Sequence, residues 1–235
     1  MAERNEQPEH AFAALLARAA LPLLLLCSGC QFLGLASIAA SPTGYEDKIP
    51  AQFDLAKSKD RKVLVLVDQP AYLSAEVNLR QYLTDAVNAS LKAKMKFPAE
   101  QLFTYEQLAD FRSARSDFRE LLPSQVGSAI GADMVLVIVI DNYELIKLSG
   151  TNYYRGMLYV HSLLLNCSNG ERLWPGDSEG RIIKVGFEVE RGGSEIAAAR
   201  LAGDAAHCIT RYLYNCPKHG FKIADDLTRT GWTEW

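Results

Sequence analysis

Cysteine is scarce in this sequence. There are five in 235 residues (Cys27, Cys30, Cys167, Cys208 and Cys216), too few and too scattered for a disulfide-built scaffold. Positive charge is not in excess either. The net charge is −3 and the pI is about 5.9, so nothing marks nucleic acid or an anionic surface as the main partner. Internal repeats and long low-complexity tracts are also missing. Glycine is missing where a nucleotide site needs it. The stretch after the apolar run Lys62–Val67 reads Asp68-Gln69-Pro70-Ala71-Tyr72-Leu73, with no glycine to cradle a phosphate. Gly127 and Gly131 precede a strand instead of following one, and read as helix packing and a cap. No Gly-x-Ser-x-Gly nucleophile elbow occurs. Neither a nucleotide nor any other cofactor is expected.

What is present is an ordinary globular composition, 49% hydrophobic and 23% charged. It suits one domain with a sizeable core plus extensions. The stretch Ala132–Glu144 organises it. Val135 to Ile140 are six consecutive apolar residues, which predicts a strand buried on both faces beneath helices. Gly131 reads as the stop of the preceding helix, and Asp141-Asn142 as a polar end.

The N-terminal part has a different character. Residues 1–18 are polar, with Arg18 at their end. The apolar run Ala19–Leu26 then leads into Cys27-Ser28-Gly29-Cys30. This order predicts a signal peptide over residues 1–29. The run ending in Ser-Gly-Cys resembles the lipobox of bacterial lipoproteins, although Cys27 stands where that family has leucine. The resemblance implies a lipid on Cys30, which would become the mature N-terminus. Gln31, not Asp, then favours the outer membrane by the family's sorting rule. Glu3, Glu6 and Glu9 point to an initiation site further downstream. The alternative is an uncleaved anchor, because Ala19–Ala40 carries no formal charge and is long enough to span a bilayer of ~30 Å. Residues 30–60 then read as a lipidated cysteine and tether, rich in turn signals.

The globular domain is expected over 61–216. Lys62–Val67 is a second apolar strand. A helix follows to about Lys94, with Ser74 as its cap and Glu76 in the first turn. Leu79, Leu83, Ala86, Val87 and Leu91 fall on one face. Gln101–Phe103 reads as a short strand. Thr104-x-x-Gln107 is a capping box, and a helical stretch over about 117–130 restarts at Pro123. Beyond the central strand come a strand over Tyr153–Asn166, a turn at Asn169-Gly170 and a strand over Arg181–Glu190. In the last of these Ile183, Val185, Phe187 and Val189 alternate with polar residues. The final helix is capped by Ser194 and buries Ile196, Ala199, Ala202, Ala206, Ile209 and Leu213. The order predicts an α/β fold (α+β as the alternative): a mixed sheet with a central strand at 134–140, antiparallel hairpin strands over 153–190, and helices on its faces.

That order resembles a group of small envelope lipoproteins, among them the curli-secretion-channel lipoprotein and the lipoprotein activators of penicillin-binding proteins. The resemblance rests on Lys62–Val67, the long helix, the helix ending in Gly131-Ala132-Asp133, the hairpin at Asn169-Gly170 and the late Ala-rich helix. It implies a scaffold, assembly or activation role through contacts with other envelope proteins. No pair of long amphipathic hairpins of the kind a pore-forming member needs is visible.

Few residues offer chemistry. His207, Cys208, Cys216 and His219 cluster, but their spacing matches no standard zinc site, and no metal is expected. Cys167, Cys208 and Cys216 are candidates for a disulfide in an exported domain. His161 reads as a strand histidine bonded to a neighbour. Asp68, Asp133 and Asp141 flank strands as caps or turn residues. Tyr143, Tyr153, Tyr154 and Arg155 suggest a polar aromatic surface for a partner. In the tail, 217–235, Phe221, Ile223, Leu227, Trp232 and Trp235 are too apolar for a disordered segment. Either the tail packs back on the domain, or Trp232 and Trp235 anchor it to a partner. The first is favoured because two exposed tryptophans on a tethered monomer are sticky. The function expected is a non-catalytic, lipid-anchored envelope protein. The rival is an envelope hydrolase using His161 or His219.

Overall fold

The computed structural model of the chain describes residues 47–73, 77–176 and 179–229. Among the described residues seven strands and five α-helices follow one another: β1 (Lys48–Ile49), β2 (Val63–Asp68), α1 (Leu79–Met95), α2 (Tyr105–Ser113), α3 (Pro123–Ile130), β3 (Met134–Lys147), β4 (Tyr153–Asn166), β5 (Arg172–Trp174), β6 (Arg181–Arg191), α4 (Ser194–Thr210), β7 (Cys216–Pro217) and α5 (Lys218–Arg229). The fold is α/β with a mixed five-stranded sheet. β2 pairs parallel with β3, and β3 antiparallel with β4. Both β5 and β6 then pair antiparallel with β4. The parallel pair is joined by helices, as a parallel connection requires.

The central strand is buried on both faces, as its unbroken apolar run dictates. Met134, Leu136, Ile138 and Ile140 point into one core with Val63, Val65 and Val67. Val135 and Val137 point into a second core with Leu64 and Leu66. Period-two alternation therefore sorts one sequence run into two layers. The first face is covered by α1 and α4. Leu79, Leu83, Val87 and Leu91 of α1 and Ala198, Leu201, Ala202 and Ala205 of α4 are fully buried there. The small alanines let the two helices lie close. Thr210 Oγ1 donates to the Ala206 carbonyl at 2.7 Å, so the 2.7 Å contact with Ser90 has Ser90 as donor. The second face is covered by α2 and α3, with Leu108 and Val126 as their buried residues.

Local signals act as their chemistry suggests. Thr104 and Gln107 form a reciprocal capping box. Pro123 opens α3, and Gly131 closes it at φ 87°, a conformation that favours glycine.

Four expectations change. Asn78 caps α1 through its side chain, accepting from Gln81 N–H; Ser74 and Glu76 lie outside the described residues. Gln101–Phe103 is no strand but the end of a 3₁₀ turn, with a single parallel bridge from Leu102 to Val63. Gly193, not Ser194, occupies the cap of α4. Of the stripe expected for the last helix, Ala202, Ala206, Ile209 and Leu213 are buried, but its first turns face otherwise, leaving Ile196 57% exposed and Ala199 exposed. A run of alanines fits the helical period in more than one frame, and Leu201 is the side chain that fixes it.

The segment read as tether joins the fold well before residue 61. Lys48 and Ile49 pair with Pro217 and Cys216, and Leu55 is fully buried, its N–H donating to the Leu213 carbonyl. Trp174 Nε1–H donates to Gln52 at 2.8 Å. Apart from Pro217 in β7, the described part of the tail is the helix α5. Its Ala224 is fully buried, with Phe221 and Leu227 against the main core. The Arg211 side chain, only 4% exposed, fastens this helix. It donates to the Phe221 carbonyl, Asp225 and the Tyr212 hydroxyl. It also stacks between the Tyr212 and Phe221 rings at 4.7 and 4.4 Å. A buried guanidinium is tolerable because it is bonded on several sides.

Candidate partner-binding face

The residues proposed from sequence as one polar aromatic surface are divided by a register shift. A bulge between Ile140 and Asn142 moves β3 by one residue against β4. Tyr143 and Tyr154 therefore turn toward the main core and pack against it. Strand alternation puts Arg155 on the opposite face. Tyr153, at the hairpin end, is 37% exposed. The four do not form one patch.

The same bulge builds a different group. On the second face of the sheet, helices lie over β2 and β3, while Tyr159 and His161 of β4 stand beside Lys184 and Ile182 of β6 in paired register. Ile182 is 66% exposed. The Lys184 ammonium lies 5.1 Å from the Tyr159 ring centre. The bulged residue Asp141 reaches across to His161, whose Nδ1–H donates to its two carboxylate oxygens at 2.8 and 3.0 Å. A carboxylate only accepts, so the pair fixes the proton on Nδ1. The pair is half-exposed, with side chains 35% and 43% accessible. Gly180 sits beside the ring, where a Cβ would come within 3.3 Å of His161. The result is a surface combining an exposed isoleucine, a lysine on a tyrosine ring and a hydrogen-bonded His–Asp pair. Such a mixture suits a protein contact better than a closed pocket does. Lys184 and the alternation of β6 were legible in sequence. The pairing of Asp141 with His161 was not, because it depends on the bulge.

The remaining candidates fall elsewhere. Asp133 accepts from Lys62 N–H at 2.7 Å and ties the starts of the two parallel strands. Cys167, Cys208 and Cys216 are buried free thiols. Cys167 belongs to the second core and the other two to the main core, so the sheet separates Cys167 from Cys216 and that pairing is excluded. Cys208 donates to the Ala224 carbonyl and Cys216 to the Tyr214 hydroxyl. Burial pushes the Cys208 thiol up to about 12. Burial, with the Asp133 charge, pushes Cys167 up to about 11. His207 contacts the Gly220 carbonyl at 3.1 Å, and His219 is exposed on α5. Among the described residues no cluster of three His, Cys, Asp or Glu could hold a metal, and no helix is long and apolar enough to cross a membrane. Cys30, Trp232 and Trp235 lie outside the described residues.

No protein-family model and no curated protein matches the chain. Its fold is similar to that of several solved structures. The lipoprotein GNA1162 from Neisseria meningitidis is 15% identical, covering 60% of this chain and 93% of its own, with a TM-score of 0.38. PelC from Paraburkholderia phytofirmans, solved as a dodecamer, is 13% identical over 71% of this chain and 91% of its own, with a TM-score of 0.36. The C-terminal domain of LpoB from Salmonella enterica is 17% identical over 60% of this chain and 85% of its own, with a TM-score of 0.32.

Proposed function

We propose that this is a lipid-anchored protein of the bacterial cell envelope that binds another envelope protein through the open face of β4 and β6, as a scaffold, assembly or activator subunit. The observation that carries the binding role is Ile182, two-thirds exposed beside Tyr159, Lys184 and the His161–Asp141 pair. An exposed aliphatic side chain next to an aromatic ring and polar groups matches the mixed composition of an interface centre and rim. The anchoring role is supported by Ser28-Gly29-Cys30 at the end of an apolar run, and Gln31 favours the outer membrane.

Two experiments test the reading. Cells fed a labelled fatty acid should label the wild-type chain and not Cys30→Ala. Label retained by the variant contradicts lipidation at Cys30. An unlabelled wild type of full precursor size in the membrane fraction means that residues 19–40 form an uncleaved anchor. Ile182→Asp should keep its melting temperature and lose a partner that co-purifies from detergent extracts. Retention of that partner by a folded Ile182→Asp chain contradicts the binding face.

A further inference from the structure

A cleft of about 760 Å³ opens at the carboxyl ends of the parallel strands β2 and β3. This is the end of a parallel pair at which α/β folds bind ligands. Its walls are apolar, formed by Leu66, Val137, Val139, Phe118, Leu121 and Val126, and its volume is that of a small-molecule site. The charged side chains that line it are Arg80, Arg112, Arg115, Arg119 and Asp68. Four guanidinium groups and one carboxylate line it, and with Arg115 paired to Asp117 the local excess is two positive charges, in a chain whose net charge is −3.

The arginines differ in how they are held. Arg115 is neutralised locally by a two-pronged pair with Asp117, at 2.9 and 2.7 Å. Arg80 donates from one terminal nitrogen to the Gln69 carbonyl at 3.0 Å, and Gln69 in turn braces the loop by donating to the Leu73 carbonyl. Arg112 lies against the Phe118 ring, 4.8 Å from its centre, so its plane is fixed. Among the described residues, the Nε atoms of both Arg80 and Arg112 are buried without an acceptor. Burial and the neighbouring Arg80 charge lower the pKa of Arg112, against the weaker opposing pulls of Tyr105 and Asp68. Two guanidinium groups are thus held close together, partly out of water and short of acceptors. That arrangement costs free energy; the buried Nε atoms stay out of a ligand's reach, but an oxyanion in the cleft offsets the repulsion between the two charges and pairs with the terminal nitrogens through charge-assisted hydrogen bonds.

We propose that this cleft binds a small organic oxyanion, a phosphate or carboxylate head on a compact apolar body. The head pairs with Arg80 and Arg112, Arg119 adds long-range attraction, and the body lies against Leu121, Val126 and Val139. Asp68 at the strand end excludes ligands whose negative charge extends in that direction. This site lies beside the open face of β4 and β6 on the same side of the sheet, with Val139 cross-strand from His161, and it does not rest on the envelope reading.

Isothermal titration of the full chain in neutral-lipid nanodiscs, with empty nanodiscs subtracted, tests it. The probes are 1-naphthyl phosphate, 1-naphthoate, 1-naphthol and inorganic phosphate. One naphthyl anion, the phosphate or the carboxylate, should bind at one site per chain, about tenfold or more tighter than 1-naphthol and inorganic phosphate. Which of the two anions binds tighter identifies the head group. Arg112→Met, which keeps the stem over Phe118, should weaken that binding about tenfold or more, and Arg172→Met, outside the cleft, should not. Should Arg112→Met fail to fold, the exposed Arg119→Met gives a smaller loss that steepens as salt is lowered. No binding of either naphthyl anion overturns the proposal. So does binding that a folded Arg112→Met leaves unchanged, or binding of 1-naphthol as tight as that of the anions.

Discussion

The two faces of the sheet are built from the same strands and treated oppositely. On one face, α1 and α4 cover β2, β3, β4 and β6, and side chains such as Leu136, Ile138, Leu158 and Val160 have no exposed surface. On the other, α2 and α3 form a smaller core over β2 and β3, and Ile182 and Lys184 of β6 are left exposed. The difference shows where stability and recognition reside. The closed face buries the area that holds the chain folded. The half-covered face carries the bulged Asp141–His161 pair and the arginine cleft, features that stability alone would not select.

The largest expected effect comes from the closed face. Leu136→Asp places an unpaired charge among fully buried residues, a cost of several kcal/mol, on the order of the whole stability. The chain should show no cooperative melt. Leu136→Ala should cost about 3 kcal/mol by loss of packing alone. A normal melt for Leu136→Asp would show that the two faces are not distinguished as described.

Next in size is the clamp on α5. Arg211→Met removes three hydrogen bonds and two ring contacts at once, and should cost about 2–3 kcal/mol. Hydrogen exchange should then speed up in α5 before it does in β3. Equal protection of α5 in the variant and the wild type would mean that Phe221, Ala224 and Leu227 hold the helix without it.

How much of this was legible in the sequence depends on the range of the interaction. The two-sided burial of β3 follows from an unbroken apolar run, and the Thr104 box and Gly131 stop follow from chemistry within four residues. The buried face of the first turns of α4 did not follow, because alanines carry too little side chain to choose one face. The roles of residues 47–60 and of Arg211 were hidden because their partners, Leu213, Trp174 and Phe221, are distant or aromatic contacts that no periodicity marks. The candidate surface divides for two reasons. Strand alternation parts Tyr154 from Tyr153 and Arg155, and a single bulged residue after Ile140 turns Tyr143 to the main-core side. The cleft needs arginines from α1, from the end of α2 and from the α2–α3 connection to meet beside β3, a convergence that exists only in three dimensions.

A subtler effect sharpens the smaller core. A Cβ on Gly127 would collide with the Cys167 sulfur, so Gly127→Ala should cost about 1–3 kcal/mol. Combining it with Cys167→Ala should recover part of the loss. A double variant as unstable as the sum of the two singles would contradict direct contact.

The thiols give a pH dependence that both faces share. Cys167 and Cys208 are pushed up to about 11 and about 12, above an ordinary thiol near ~8.5. As pH rises past the ordinary value, the unfolded chain loses these protons while the folded one keeps them. The unfolded state then binds fewer protons, and stability falls with rising pH up to the folded values. Thermal melts should therefore show a stability loss beginning near pH ~9 that a Cys167→Ala, Cys208→Ala chain lacks in part. An identical alkaline profile in the double variant would assign the loss to other groups.

The smallest stability effect carries the most direct test of the account. Ile182→Asp changes an exposed position and should shift stability by no more than about 0.5 kcal/mol. The measurement is a thermal melt of the full-length Ile182→Asp chain beside wild type, paired with its recovery of co-purifying envelope protein from detergent extracts. An unchanged melting temperature and a lost partner are expected. A melting temperature lowered as far as that of Leu136→Ala, or a partner retained by the folded variant, would contradict the division of the sheet into a face that stabilises and a face that binds.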